Sequence, residues 1–354
     1  MKKFNYLMMA AAMTLGLASC SQETKPGTPV EDKTIVEGGV IIKEINVGGV
    51  KNSVKTGNYL FCKAIIVYNN SSKAATLSNF GIAFCSPQNG DGTNNNYDED
   101  GKLTYEKEGY IPAQQGAWYY PGSITIEPFS DVVIALNGAI DHTAQEGGAN
   151  SFDLSNADMA CYDTSVFSLA SYYPKPTNVP ENMWLKGVKY NTATAWAIST
   201  ISPALYLFSA PADITLSEYL TDENNLGYTN GYTTSAYKCA KIPMEWIVDG
   251  VELYNKDKVA TSTKRLPESI DAGYCIYASA SGYSAYRNID EKATVNYGDN
   301  INKLVYNYAD GVEGTTDPSG IDAAASAKNG AKIIYQDTNN STADFHLRKG
   351  WSLK

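Results

Sequence analysis

Apolar residues along this chain come in short bursts, each punctuated by Gly, Pro or Asn. Val40 to Val47 (VIIKEINV), entered from Gly38-Gly39 and left at Gly48-Gly49, predicts a strand. Leu60 to Tyr68 (LFCKAIIVY) is nearly continuous apolar sequence, as expected of a strand buried on both faces. The Asn69-Asn70-Ser71-Ser72 cluster predicts a turn, after which Ala75 to Phe84 resumes strand character. Gln88 to Gly101 reads as a polar loop. Ala117 to Tyr120, Ile124 to Ile126 and Asp131 to Leu136 predict three more strands, broken at Pro121-Gly122 and Pro128. Leu205 to Phe208, Trp246 to Leu253, Tyr274 to Tyr277 and Lys303 to Tyr306 carry strand patterns in the second half. Ile321 to Lys328 (IDAAASAK), behind Asp317-Pro318-Ser319, has the Ala content and capping residues of a short helix. No internal repeat is visible, which disfavours a solenoid or propeller. Strands and helices do not alternate in the parallel α/β manner. Many short strands at close spacing predict an all-β sandwich or barrel.

The first residues obey another logic. Lys2 and Lys3 precede an uncharged apolar run, Tyr6 to Leu17, and Leu17-Ala18-Ser19 leads directly to Cys20. A basic start, an apolar core and small residues at the cut describe a secretory signal. The run is shorter than the about 20 residues a membrane span needs. Leu-Ala-Ser-Cys looks like a bacterial lipobox, so the expectation is a signal peptide over 1–19 and a lipid on Cys20. Ser21 to Glu37, with Pro26, Gly27, Pro29 and several charges, reads as a solvated tether, giving a lipidated Cys and flexible segment over 20–37 and a body over 38–354. Buried acyl carbons, at about 0.8 kcal/mol per CH₂, would hold such a chain firmly at a membrane.

Composition sharpens this picture. The chain has 28 Lys+Arg against 38 Asp+Glu, and losing Lys2 and Lys3 takes the net charge from −10 to −12. An acidic body argues against nucleic acid and against electrostatic docking on anionic lipid. The 26 Tyr, against 9 Phe, and the frequent Thr, Gly and Asn suit strands joined by turns. Five cysteines follow Cys20, namely Cys62, Cys85, Cys161, Cys239 and Cys275. They are odd in number and form no CxxC pair, so a complete disulfide framework is not expected and small buried thiols are. With only His142 and His346, a zinc site is disfavoured.

The order of segments then resembles a known domain. IIKEINVGG (Ile41 to Gly49), AIIVYNNSSKAATLSNFGI (Ala64 to Ile82) and the proline-flanked pair ending in DVVIAL resemble a lamin-tail-like domain, an immunoglobulin-like β-sandwich. Glu44-Ile45 and Tyr68-Asn69 match that domain's first two strands, while Lys43 and Ile66 depart from them. YIPAQQGAWYYPGS (Tyr110 to Ser123), AIDHT (Ala139 to Thr143), NSFDLSNADMACYD (Asn150 to Asp163), IPMEWIVDGVE (Ile242 to Glu252), RLPESIDAGY (Arg265 to Tyr274), SAYRN (Ser284 to Asn288) and DTNNSTADFHLR (Asp337 to Arg348) are similar to an uncharacterised family of Bacteroidetes lipoproteins. The resemblance implies one sandwich domain over 38–354 with long loop insertions and few short helices. It also implies an outer-membrane location; the polar residues after Cys20, with Glu23, resemble a surface-export signal and favour the cell surface, with the periplasmic face as the alternative.

Candidate chemistry is sparse. Asn96, Asp98 and Asp100 before Gly101 resemble half of a calcium loop, with Asp91 able to add a ligand; a solvated Asn/Asp turn is the alternative. Position twelve would be Lys107 rather than Glu. His142 and His346 lack a motif and read as satisfied structural residues. Glu44, Asp153, Asp158, Asp249 and Glu252 lie in or beside strand-like segments, and no pair stands out for hydrolysis. Trp184, Trp196, Tyr172 and Tyr173 fall near Pro or Asn and are candidates for stacking on a ligand such as a glycan, whereas Trp118 and Trp246 read as core. The leading expectation is a non-enzymatic, lipid-anchored envelope protein that captures a ligand or partners an outer-membrane protein, including a TonB-dependent uptake system. A carboxylate-based hydrolase and an adhesin or structural envelope protein are the alternatives.

Overall fold

The computed structural model describes residues 39–85, 94–312 and 314–352, all inside one compact unit, Thr34–Lys354. Seventeen strands run through it: β1 (Val40–Asn46), β2 (Val50–Lys51), β3 (Asn58–Tyr59), β4 (Lys63–Asn69), β5 (Ala75–Cys85), β6 (Tyr110–Gln114), β7 (Gly116–Ile126), β8 (Asp131–Asn137), β9 (Met159–Cys161), β10 (Trp184–Lys189), β11 (Ala204–Ser209), β12 (Leu226–Tyr228), β13 (Lys238–Pro243), β14 (Ile247–Asn255), β15 (Cys275–Tyr277), β16 (Tyr283–Arg287) and β17 (Phe345–Lys349). Among the described residues, five short α-helices accompany them, α1 (Thr104–Lys107), α2 (Leu216–Tyr219), α3 (Glu291–Asn296), α4 (Ala323–Lys328) and α5 (Ser341–Asp344), with several single-turn 3-10 segments. Among the described residues no helix is long and apolar enough to cross a membrane. The signal segment, Cys20 and the tether lie outside the described residues, as does Asp91.

Twelve strands form a single sheet in the order β15-β14-β11-β5-β7-β10-β9-β8-β4-β1-β16-β17. Its two halves fold over one another. Ile42, Ile45, Ile65 and Ile134 from one half share a buried core with Ile82, Leu205, Leu207 and Leu253 from the other. Fully burying one such side chain is worth about 1.5–3 kcal/mol, so this interior is the main source of stability. The expected immunoglobulin-like sandwich has two separate sheets, whereas this protein has one twelve-stranded sheet folded over itself. The three-residue β9 pairs in parallel with both β8 (Ala135 with Ala160) and β10 (Ala160 with Trp184), and so stitches the two halves into one sheet along one side. On the other side β15 and β17 are the terminal strands and do not pair.

β4 is buried along its whole length, as its apolar run predicts. The reason lies on both sides: Ile65 and Val67 face the main core, Ala64 and Ile66 a second cluster with Leu154 and Trp351. β5 and β11 are also covered twice, because β6 and β13 of a small three-stranded sheet pack Ile111, Ala113 and Ile242 over Ala83, Ala204 and Tyr206. Pro121-Gly122 does not end a strand. β7 runs straight through, since β10 pairs only with its Gly116 to Tyr119 end and the β5 ladder skips a residue between Ser78 and Phe80. Lys303 to Tyr306 is a loop rather than a strand; the Val305 amide is satisfied by Ser326 Oγ at 2.9 Å instead of a ladder. α4 starts where the capping residue places it, with the Asp322 side chain accepting from Ala325 N. The five described cysteines are all free and buried.

Candidate functional site

The segments Ile242 to Glu252, Arg265 to Tyr274, Ser284 to Asn288 and Asp337 to Arg348 converge on one lattice of buried charge. β14 supplies two of its acids. Asp249 accepts from Ile42 N at 2.7 Å, from its own neighbour Gly250 N at 2.7 Å and from Arg287 Nη2 at 2.5 Å. Arg287 also donates to Ile42 O at 2.9 Å and to Asp337 at 3.0 Å, with Asp344 3.8 Å away. Asp344 in turn organises the loop before it, accepting from Thr338 N and Thr338 Oγ1 at 2.8 Å each. Glu252 accepts from Arg265 at both its amide and Nε, 2.9 Å each, and lies 2.6 Å from Lys264 Nζ. All three arginines of the chain are buried. Burial pushes the Asp249 carboxyl upward, against the pull of Arg287; Arg287 itself is held above its usual range by Asp249, Asp337 and Asp344, which outweigh its desolvation. Buried charges persist only when paired and hydrogen-bonded, and here each pair also engages main-chain groups, Ile42 and Gly250 for Asp249 and Arg287, and the Arg265 and Leu266 amides for Glu252.

Asp271 connects this lattice to the open side of the sheet. It accepts from Glu252 N at 2.8 Å, Gly273 N at 2.9 Å, and Ser341 at both its amide (2.8 Å) and its hydroxyl (2.6 Å). Burial raises its pKa, with Lys264 the first of the opposing pulls. A few residues beyond, Tyr274 N donates to Thr342 Oγ1 at 3.0 Å and Thr342 Oγ1 donates to Tyr274 O at 2.9 Å. Gly273 allows the approach: a Cβ there would meet Thr342 N at 2.5 Å and Thr342 Oγ1 at 2.8 Å. The start of β15 and the start of α5 are thereby clamped together.

Between them lies a groove of about 510 Å³. Tyr274 to Ala278 form one wall, Val312, Gly314 and Thr315 another, and Tyr283, Phe345 and Leu347 the floor. Ser341 and Thr342 sit at one end, and Lys256 is the single charged side chain among its described lining residues. The Tyr274 ring stacks on Tyr254 with centroids 4.0 Å apart and planes at 5°, which makes it a rigid edge. An apolar concavity of this size with a few convergent polar groups is the usual form of a ligand site.

The residues singled out from sequence lie elsewhere. Trp196 is buried, donating Nε1 to Gly116 O at 3.2 Å, and its amide donates to Tyr173 Oη at 3.0 Å; both rings belong to the main core and cannot serve as an exposed stacking platform. Tyr172 packs edge-on against Phe61 beneath the Lys63 ammonium, and Trp184 is tied to Val179 O at 3.0 Å and packs edge-on against Tyr162. Trp118 and Trp246 are buried. In the candidate calcium turn, Lys107 Nζ sits on the Asp98 carboxylate and 3.5 Å from Asp100, while Asn96 Oδ1 accepts from Asn230 N at 2.5 Å. A side-chain ammonium, rather than an open oxygen cage, faces those carboxylates. Among the described residues no cluster of His, Cys, Asp or Glu is arranged to hold a metal.

His142 lies between Tyr59 Oη at 2.8 Å and Gly138 O at 2.7 Å, and His346 between Asn288 Oδ1 at 2.7 Å and Tyr308 Oη at 2.5 Å. Glu44 is held by the hydroxyls of Ser284 and Ser352, Asp153 by Ser155 N at 2.7 Å and Asp158 by Val133 N at 2.8 Å. These are satisfied structural groups. Sequence reasoning passed over Arg265, Asp271, Arg287, Asp344 and the groove residues Lys256, Tyr274 and Ile276. The available signal was the rarity of Arg, three in the chain, each within a segment carrying the family resemblance.

No curated protein matches this chain. It is similar to a crystal structure of a DUF4876 family protein from Bacteroides thetaiotaomicron VPI-5482, with a TM-score of 0.60 and 22% identity over 87% of this chain and 70% of that one. The likeness extends to the rolled sheet as a fold. Residues 127–350, which contain the charged lattice and the described groove lining, match the family described as Protein of unknown function (DUF4876). On that match, spanning more than half of its length, the chain belongs to the DUF4876 family.

Proposed function

We propose that this chain is a lipid-anchored, non-enzymatic capture protein of the bacterial envelope, and that the groove between β15 and α5 is where it binds. The observation that carries this reading is the groove itself: about 510 Å³, mostly apolar, with rims clamped by Asp271 and Thr342. Preorganised walls reduce the entropy lost on binding. The Lys2-Lys3 start, the apolar run and Leu-Ala-Ser-Cys20 support the anchor, and the polar 20–37 segment supplies reach. The same reading places the chain at the outer membrane, facing outward, where a membrane protein partner is within range. The lamin-tail-like kinship belongs to this proposal too; Glu44-Ile45 and Tyr68-Asn69 lie on β1 and β4, which pair antiparallel. Metabolic labelling with an alkynyl fatty acid tests the anchor. The intact chain takes the label and partitions with membranes, and Cys20→Ser loses both. Unchanged partitioning of Cys20→Ser overturns the placement.

A further inference from the structure

The two walls of the groove differ, and the difference names a class of ligand; this assignment deepens the capture reading and rests on it. β15 ends the twelve-stranded sheet, so one of its edges has no strand beside it among the described residues. The ladder decides which main-chain groups lie there. Leu253 gives its N–H to Pro203, on the β11 side of β14, and Lys256 gives its N–H to Tyr277 O. Cys275 and Tyr277 therefore meet β14, and the N–H and C=O of Ile276, one residue out of phase, point the other way. The Ile276 carbonyl meets the Cys275 thiol at 3.8 Å, a weak donor. The Ile276 side chain is 47% exposed on this edge. An open sheet edge carrying an exposed apolar residue is a template for another strand.

The opposite wall offers no such template. There Val312 N–H reaches Leu347 O at 3.2 Å and Lys349 N–H reaches Asp310 O at 2.8 Å, so the outer edge of β17 is already covered. Main-chain valences thus face the groove from β15, and side-chain room lies over Tyr283, Phe345 and Leu347. Lys256 stands exposed at the lining and pairs with no carboxylate among the described residues.

We propose that the groove takes an extended peptide segment of a partner protein, which adds as a strand to the Ile276 edge of β15, sets an apolar side chain over Phe345 and Leu347, and places a carboxylate against Lys256. Strand addition gives affinity through main-chain bonds and selectivity through alternate side chains. The charge pairing with an exposed Lys makes binding weaken with salt. An amphiphilic anion such as a fatty acid could meet Lys256 and the apolar floor but has no use for the Ile276 N–H.

The test uses the full mature chain in detergent and two probes. One is a pool of synthetic octapeptides with Val, Ile or Phe at alternate positions and an aspartate at the C-terminus; the other is dodecanoate. Retained peptides should slow amide deuterium exchange over 274–278. Ile276→Pro removes the donor and should lower retention about ten-fold, whereas Ile276→Thr keeps the main chain and should stay within about three-fold of the unaltered protein. Lys256→Glu should shift the retained set away from acidic peptides. Retention undiminished in an Ile276→Pro chain of unchanged melting midpoint overturns the inference, and so does failure to retain any peptide. Slowing by dodecanoate alone also overturns it while leaving the capture reading standing. Silence of both probes at 274–278 overturns the peptide and leaves the capture reading to its own test in the envelope.

Discussion

Asp271 takes two hydrogen bonds from Ser341, at 2.8 Å from its amide and 2.6 Å from its hydroxyl, across seventy residues of sequence. Because the same carboxylate also receives Glu252 N and Gly273 N, it holds β14, β15 and α5 in one arrangement. Bonds to a charged acceptor are worth about 1.5–3 kcal/mol each. Ser341→Ala should cost about 2 kcal/mol in urea unfolding, and Asp271→Ala more. Both should speed amide exchange over 272–278 and 338–344 before the chain unfolds. Exchange there that matches the unaltered chain would mean the groove is held by something other than this clamp.

Arg265 and Glu252 are both fully buried, so losing one partner strands the other. Arg265→Met should destabilise by about 3–5 kcal/mol, moderated by the Lys264 ammonium that remains beside Glu252. Replacing both, Arg265→Met with Glu252→Leu, removes the stranded charge and should recover much of that loss. A double-mutant cycle in guanidinium chloride measures it, and simple additivity of the two losses would contradict a coupled pair.

His346 supplies a pH dependence. Burial, and then the charge of Arg348, push its pKa down from 6.5 to about 4. A folded pKa below the unfolded one means the unfolded chain binds the proton first. Stability from this group is complete above pH 6.5 and is lost as pH falls toward 4, by about 3 kcal/mol in all. Burial lowers His142 in the same direction. Unfolding free energy measured between pH 7 and pH 4 should therefore fall, and His346→Gln should flatten part of the slope. Parallel curves for the two chains would show that His346 is charged in the fold.

Lys63 has the same sign at higher pH. It is buried in the interior with one hydrogen bond, to Ile198 O at 3.1 Å, and burial lowers its pKa to about 8. The folded state disfavours its charge, so below pH 8 it costs about 3 kcal/mol, a cost that fades as pH rises toward 10.5. Lys63→Met should raise the melting temperature at neutral pH, and the gap from the unaltered chain should close between pH 8 and 10.5. A destabilised Lys63→Met chain would show that the amine contributes more than its desolvation removes.

Strand patterns were legible wherever one strand carried its own boundary signals. β1, β4, β5, β8, β11 and most of β14 lie within a few residues of the segments their apolar runs predict. β6, β9, β10, β12, β13, β16 and β17 were not legible. Tyr283 to Arg287 and Phe345 to Lys349 mix aromatics with Ser, Arg and His, because their polar side chains are buried against partners distant in sequence, such as Ser284 on Glu44 and His346 on Asn288. β9 has only three residues, yet it decides whether the fold is one sheet or two. The groove was hidden for the same reason. Its lining comes from three stretches, around Ile276, Thr315 and Phe345, which are distant in sequence and meet through contacts such as Asp271 with Ser341, Tyr274 with Thr342 and Val312 with Leu347. The conspicuous aromatics Trp196 and Tyr173 went to the core, where large rings fill the space between the two halves.

Deuterium uptake of the intact lipoprotein in envelope membranes, compared with the same chain extracted and purified, tests the capture groove most directly. Slower exchange over 274–278 and 340–347 in the membranes, restored on purification, is the expected result. Equal rates at those residues in both states, or slowing confined to the β6 and β13 side, would contradict a groove that works by being filled.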